Sequence, residues 1–518
     1  MTSQPEKFAA LCPRIMICGL RGSTGKTLVA LGLISAWQAR GVSVAPFKKG
    51  PDYIDAAWHT RAGIRPCRNL DSYLMTAETI RGSVGQHGRS ADLTLIEGNH
   101  GLFDGVGAEA TASSAELAKL LHLPVILLVD CTKTTRTVAA MVLGCQHMDP
   151  ELRLAAVLLN RVATPRQQKA VRTAVEEICG LPVLGSIPRL PDLAFPERHL
   201  GLLTPAEHPE VAGPITIARQ AVEAHVNLDR IRALAESAPP LTWTTPDAPE
   251  IPVGPAGPPG THGSAVGAGF LRRGGVRVGV VRDSAFTFYY PENLEALACL
   301  GAEVVEVNAL TDPDLPPLDA LYIGGGYPET HAAALAANGA FRASVRREIE
   351  AGLPVIAECG GLIYLAEAMV MDGVAYPMVG IFPVTFELGK RPWGHGYASV
   401  EVMEANPFFP PGTCLRGHEF RYSYARSART EALRMAFRMQ RGTGFDGERD
   451  GLTYKNVLAS FCHFHAAGTR EWAGAVIRQA WLHAERRHVT TRVAGSSGVS
   501  GDAAALELAG ATARAAPG

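Results

Sequence analysis

The chain has 518 residues, 47% of them hydrophobic and 19% charged, enough to bury more than one core, and ~150 residues per domain gives two to four domains. Lys+Arg 49 against Asp+Glu 50 leaves a formal net charge of −1, which excludes a global attraction to nucleic acid or an anionic membrane. An anionic ligand must therefore be held by a local cluster of cations.

No run of about 18 uninterrupted apolar residues occurs, and Met1–Pro13 lacks a basic stretch followed by an apolar one. The expectation is a cytoplasmic protein with no nucleic-acid and no membrane partner. The ten cysteines form no CxxC pair and no dense framework, so most are expected to be reduced and buried.

Short apolar runs ending in Gly or Asp alternate with amphipathic segments in two long stretches, which is the grammar of strands and helices around a parallel sheet. In the first stretch the predicted strands are Arg14–Gly19, Val42–Phe47, Leu93–Glu97, Val125–Asp130 and Ala155–Asn160, with helices such as Lys26–Arg40 and Ala115–Leu121 between them. Residues 237–275, with PP, TPDAPEIP and GPAGPPG, hold few aliphatic side chains and read as a linker. The grammar resumes with Val276–Val281, Ala302–Val307, Ala320–Ile323 and Val355–Ala357. Residues 489–518 are rich in Ala, Gly, Ser and Thr and read as a disordered tail or weak helix. The fold class expected is α/β, in two parallel-sheet domains over 1–236 and 276–488.

The first predicted strand runs into Leu20-Arg21-Gly22-Ser23-Thr24-Gly25-Lys26-Thr27 at a helix start. Backbone N–H groups of Gly22, Ser23, Thr24 and Gly25 would cradle phosphate oxygens. Lys26 would neutralise terminal phosphates, and the Thr27 hydroxyl could ligate Mg²⁺. The text departs from the usual phosphate loop by having five residues, not four, between Gly19 and Gly25. A Mg²⁺-triphosphate site needs hard oxygen ligands. Lys48-Lys49-Gly50-Pro51-Asp52-Tyr53-Ile54-Asp55 and Glu97-Gly98-Asn99-His100-Gly101-Leu102-Phe103-Asp104-Gly105 follow the next strands, and in an open parallel sheet such loops share one edge. Taken singly, Asp52 and Asp55 could be turn residues and Asp104 a helix cap.

In the second half, Val355-Ile356-Ala357-Glu358-Cys359-Gly360-Gly361 sets a thiol after an apolar strand with glycines opening a helix. Such an elbow exposes the sulfur, and the helix N-terminus favours thiolate and oxyanion alike. Gly324-Gly325-Gly326 and Gly360 are candidate oxyanion donors. Ala459-Ser460-Phe461-Cys462-His463-Phe464-His465 supplies two histidines that alternation would put on one face. Cys462 is a rival nucleophile that lacks the glycine turn.

The segments FKKGPDYID (47–55), RNLDSY (68–73), EGNHGLFDG (97–105) and ERHLGL (197–202), in this order, closely resemble the cobyrinate a,c-diamide synthase family of corrin biosynthesis. Its ATP half is related to dethiobiotin synthetase, and the phosphate-loop spacing is similar to that enzyme's. The layout around Cys359 is similar to class I glutamine amidotransferase domains. The resemblance implies a phosphate-loop amidoligase domain joined to a glutaminase domain, with ATP, L-glutamine and a polycarboxylate tetrapyrrole as small-molecule partners and Mg²⁺ beside ATP. A homodimer is left open. It implies Cys359 as nucleophile and His463 as base. Where ordinary class I glutaminases carry Glu two residues after that His, this chain has His465. Thr27, Glu97 and Asp52 would hold Mg²⁺, while Asp55 and Asp104 would ligate a second ion or orient the acceptor. Asn160 matches a position that reads adenine in dethiobiotin-synthetase relatives, or it caps a turn. Carboxylates of the ring call for cations drawn from Lys48, Lys49, Arg68, Arg198, His199, Arg391, His395, His418 and Arg421. Of these, Lys49, Arg198, His199 and His418 lie within the motifs.

The resemblance implies ATP- and glutamine-dependent amidation of the a- and c-acetates of cobyrinate through acyl phosphates. Lys49 and Asn99-His100 depart from the family's commoner text and are similar to relatives thought to amidate sirohaem. The same chemistry on sirohaem, sirohydrochlorin or hydrogenobyrinate is thus the first alternative. A phosphate-loop switch ATPase with a degenerate second half, or a tetrapyrrole carrier, are alternatives of another class.

Overall fold

A computed structural model describes residues 7–190, 197–198, 201–208, 210–244 and 275–497. The first half is built on a seven-stranded sheet in the order Arg68–Leu70, Val44–Lys49, Leu93–Gly101, Arg14–Gly19, Val125–Asp130, Leu154–Val162, Val183–Pro188. All its pairings are parallel. Strands buried on both faces must be continuous apolar runs, and Ile15, Ile17, Leu95, Ile126 and Leu128 pack on one side of this sheet while Met16, Ile96, Leu127 and Val129 pack on the other. The helix Lys26–Ala39 covers the first of these faces.

The second half carries a ten-stranded sheet whose order begins Glu303–Val307, Arg277–Val281, Ala320–Ile323, Val355–Glu358, Val457–Ser460. Those five are parallel. The sheet continues antiparallel through Arg449–Tyr454, Arg434–Arg441, Gly394–Val402, Cys414–Arg421 and His463–Phe464. This antiparallel extension was not anticipated from the βα grammar, because its strands mix exposed and buried positions and lack intervening helices. A separate four-stranded sheet is formed by Val374–Pro377, Ala366–Met371, Phe382–Leu388 and Ser423–Ala428.

Two segments depart from the expected text. Leu241–Thr244, inside the predicted linker, is a strand paired with Lys7–Ala10, and Trp243 packs into the core beside Phe8. Residues 245–274 lie outside the described residues. The helix Glu471–Ser497 runs past residue 488. The strands Arg14–Gly19, Val125–Asp130 and Ala320–Ile323 have the predicted bounds. Among the described residues no helix is long and apolar enough to cross a membrane, and all ten cysteines are free, only Cys299 and Cys414 being exposed.

The halves meet through paired charges and rings. Arg68 forms a two-pronged bridge to Glu295 at 2.9 and 2.6 Å and stands 3.4 Å from Glu292. The Tyr397 hydroxyl donates to Asp71 at 2.6 Å, and the Tyr53 ring stacks on Phe288 and tilts against Tyr290.

Candidate active site

The phosphate loop leaves the strand Arg14–Gly19 and enters its helix at Gly25, which has φ 92° and no side-chain cap. Only a glycine suits that backbone, and a Cβ there would come within 2.4 Å of Asn160 Nδ2. The first helical N–H groups, without a capping side chain, remain available to an anion. Gly22, Ser23, Gly25, Lys26 and Thr27 all line the cavity in front of them. Thr24 does not; its hydroxyl turns back to the Arg21 carbonyl at 3.4 Å. Lys26 Nζ donates to that same carbonyl at 3.3 Å, and burial followed by repulsion from Lys48 lowers its pKa. Asn160 donates to the Thr24 carbonyl at 2.8 Å and accepts from the Arg161 N–H at 2.9 Å. It therefore clamps the loop while also lining the cavity.

Behind the loop the acidic motifs converge. Thr27 Oγ1 lies 3.1 Å from Asp55 Oδ2 and 3.0 Å from Glu97 Oε1. Lys48 Nζ donates to the same two oxygens at 2.6 and 2.8 Å. The second oxygen of Glu97 meets His59 Nε2 at 2.5 Å. Burial alone would push the Glu97 carboxyl up, but Lys48 and His59 outweigh it and hold the group well below the usual carboxylate range. Lys48, also opposed by burial, is raised by Asp55 and Glu97. Asp52 is displaced from this centre. Its Oδ1 caps the helix Tyr53–Gly63 by accepting from the Asp55 N–H at 2.9 Å, and its Oδ2 is 4.0 Å from Lys48. Burial and the neighbouring Asp55 push its carboxyl up to about 7. Thr27 thus meets Asp55 and Glu97, whereas Asp52, expected beside Thr27 and Glu97 as an Mg²⁺ ligand, turns one of its oxygens to the helix start. Asp104 lines the cavity, and its Oδ2 accepts from the Gly101 N–H at 2.7 Å, which makes it a turn cap.

In the other half, Cys359 sits at the junction of Val355–Glu358 and the helix Gly360–Leu365 with φ 49° and ψ −98°. Positive φ at a residue with a Cβ is strain held by its surroundings, here by the Cys359 N–H donating to the Ser460 carbonyl at 2.7 Å. His463 is buried beside it. Burial would lower the imidazole, yet contact with the Cys359 thiol and the Glu358 carboxylate raises it to about 9. A Cβ on Gly325 would strike His463 Cε1 at 2.4 Å, so Gly325 gives the ring its space. The Gly326 N–H stands 3.1 Å from where a Gly360 Cβ would be, which brings these two backbones together beside the thiol. The Gly324 N–H is taken by the Tyr289 hydroxyl at 2.8 Å.

His465 points elsewhere. It packs on Tyr290, faces Glu292 at 3.6 Å, and burial together with Arg68 pushes it down to about 3. The expectation that alternation puts both histidines on one face is corrected, since the strand is only His463–Phe464. Cys462 is buried with its sulfur toward Glu419, and burial then nearby Asp450 raise its pKa, the reverse of activation.

One cavity of about 970 Å³ runs from the phosphate loop to His463. Lys26, Thr27, Lys48, Asp52, Asp55 and Glu97 line one part of it, and Phe288, His418 and His463 another. Lys49 is on its wall, buried, with a lowered pKa owing to burial that Asp71 opposes. His395 is there too, but Arg68 and Arg421 are not. Arg68 is spent on Glu292 and Glu295, and Arg421 on the Ser423 and Gly444 carbonyls. His418 stacks on His463 with ring centres 4.8 Å apart, and burial followed by His463 holds it well below its ordinary pKa. It lines the cavity as a neutral ring rather than the expected cation. Arg391 is exposed and does not line the cavity. Arg198 lies in a two-residue strand, Glu197–Arg198; His199 lies outside the described residues.

Sequence reading missed His59, whose i+4 spacing from Asp55 on one helix was a usable signal, and Arg161, Arg189 and Arg441 on the cavity wall. It placed Lys48 among substrate cations, whereas the ammonium is enclosed by Asp55 and Glu97.

Residues 15–202 match the family model described as a CobQ/CobB/MinD/ParA nucleotide binding domain. Residues 277–471 match a CobB/CobQ-like glutamine amidotransferase domain. The chain is 41% identical over 466 residues to a cobyrinate a,c-diamide synthase of Magnetococcus marinus, covering 90% of this chain and 97% of that one. It is 37% identical over 469 residues to one from Archaeoglobus fulgidus, with 90% and 97% covered. The corresponding figures for one from Dehalococcoides mccartyi are 38% over 473 residues, with 90% and 98%.

Proposed function

The chain belongs to the cobyrinate a,c-diamide synthase family, and from that premise we propose how its two centres divide the work of amidating the a- and c-acetates of cobyrinate. It is a glutamine-dependent amide-forming ligase of cobalamin biosynthesis. The observation that carries the division is the single cavity reached by both the phosphate loop and His463.

At the thiol, Cys359 passes its proton to His463 and attacks the amide carbon of glutamine, while the Gly326 and Gly360 backbones face the developing oxyanion. The C–N bond breaks, His463 returns the proton to the leaving ammonia, and water then cleaves the thioester to glutamate. At the loop, a ring carboxylate attacks the γ-phosphorus of ATP to give an acyl phosphate and ADP. Ammonia displaces phosphate from that carbon, leaving the amide. The helix N-terminus and Lys26 stabilise charge on the transferred phosphoryl group. Thr27, Asp55 and Glu97 offer hard oxygens that fit Mg²⁺ and would hold it; when bound, Mg²⁺ supplies further charge neutralisation on the triphosphate. Lys49, Arg189 and Arg441 are the wall cations suited to ring carboxylates. A switch ATPase with a degenerate second half, or a passive carrier, would have no use for a strained thiol beside a buried histidine.

The test is to supply nitrogen in two forms. Cys359→Ala should abolish amidation from glutamine and keep it with free ammonia, whereas Lys26→Ala should remove both, by roughly 10²-fold or more. Mass spectrometry of the ring products counts the amides. Failure of ammonia to rescue Cys359→Ala would overturn the division.

A further inference from the structure

Glu358 ends an otherwise apolar strand, Val355–Glu358, and is 1% exposed. A carboxylate in such a place is costly unless it is paired and hydrogen-bonded. Its hydrogen-bond partners are neutral: the Tyr322 hydroxyl donates to Oε2 at 3.0 Å and the Phe464 N–H to Oε1 at 3.4 Å. The group that meets it as a potential cation is His463, whose Nδ1 stands 3.7 Å from Oε2. That nitrogen is buried and has no hydrogen-bond partner of its own within range. A base that serves a thiol must have its ring oriented by a third group, and such contacts are commonly long before substrate arrives and tighten afterwards.

The neighbours offer no substitute. His465 accepts from the Ala467 N–H at 3.1 Å and turns its other nitrogen to Glu292. His418 lies flat on the His463 ring and so cannot align it edge-on. The remaining titratable groups around Glu358 and His463 are the phenols of Tyr53, Tyr289, Tyr290 and Tyr322, all raised by burial and therefore neutral. We propose that Glu358 is the positioning residue of the glutaminase centre: through His463 Nδ1 it orients the imidazole and stabilises its charged form, so that Glu358, Cys359 and His463 act as one unit. The proposal rests on the reading of Cys359 and His463 as the glutaminase pair and assigns that pair its third member.

The experiment uses the full chain with cobyrinate and ATP, following glutamine hydrolysis and amide formation from glutamine or ammonia. Glu358→Gln should lower kcat for glutamine by roughly 10²-fold with KM within about twofold, and Glu358→Asp should recover part of the loss. Without the carboxylate the imidazolium gives up its proton more easily, so the alkaline limb of the kcat/KM profile should move to lower pH. Ammonia-supported amidation should be unchanged. Tyr322→Phe, which deletes only the hydroxyl that holds Glu358, should give a smaller loss of the same kind and carries the test if Glu358→Gln does not fold. An unchanged kcat and alkaline limb in these variants, or an equal loss with ammonia, overturns the role of Glu358. If Cys359→Ala loses glutamine use while Glu358→Gln retains it, only this proposal falls; if Cys359→Ala still uses glutamine, the reading beneath it falls.

Discussion

At the phosphate loop two carboxylates, Asp55 and Glu97, grip one buried lysine with a third, Asp52, 4.0 Å away, whereas at the thiol one carboxylate faces one histidine beside a backbone held at positive φ. Both centres stand at the carboxyl ends of parallel strands, where the fold exposes loops to a common edge. The first stores its chemistry as charge that a bound ligand completes. The second stores it as geometry drawn from the chain's own residues. Surplus negative charge suits a site that must hold cations and a triphosphate. A strained, apolar-backed elbow suits a site that must make a nucleophile from a neutral thiol.

Removing charge from the first centre should have the largest effect. Glu97→Gln takes a partner from both Lys48 and His59 and should cut amidation by roughly 10²–10³-fold with glutamine and ammonia alike. Glutamine-only loss would mean that the two centres do not divide as their charges suggest.

The seam between the halves sharpens the comparison through pH. Glu292 beside Arg68 and Asp450 in the glutaminase half are both pushed by burial up to about 7. Since free carboxyls titrate at about 4, the stability tied to these groups is fully present below about pH 4 and is lost as pH rises through about 7. His463, raised to about 9, adds a loss in the same direction across its own window. The Tm of the unliganded protein should fall by roughly a few degrees between about pH 5 and about pH 8. Glu292→Gln cannot ionise and should flatten part of that slope, and a slope that ignores the substitution would show this carboxyl already charged at the lower pH.

The smallest effect belongs to the rim of the loop. Arg161 donates to the Ser23 carbonyl at 3.0 Å and pairs with Asp130 at 2.8 Å, with its side chain 43% exposed. Arg161→Ala should raise KM for ATP by about two- to fivefold, the scale of an exposed pair, and leave kcat for glutamine hydrolysis alone. A loss as large as that of Glu97→Gln would place Arg161 in the phosphoryl-transfer chemistry.

Much of this was legible in the residues. Strand, small-residue loop and helix follow one another within a few positions at both Gly19–Thr27 and Val355–Leu362, so the two centres and their nucleotide-loop and thiol character could be read locally. The antiparallel end of the second sheet could not, because its half-buried strands carry no strong period and no crossover helix. Candidate cations were the least legible, since a surface lysine and a buried one look alike in text. Lys48 went to Asp55 and Glu97, Arg68 to the other half, and Arg421 to backbone carbonyls.

Local order of residue types determined the family, the two chemistries and the backbone conformations that serve them, because glycine turns, helix starts and apolar strands are decided by neighbours in the chain. Which carboxylate meets which cation was decided only by the folded sheets. The hydrogen bond from Phe464 to Glu358 links residues 106 apart, and that from Lys48 to Glu97 links residues 49 apart. Such pairings depend on strand register and on what burial leaves unpaired, neither of which a linear text displays.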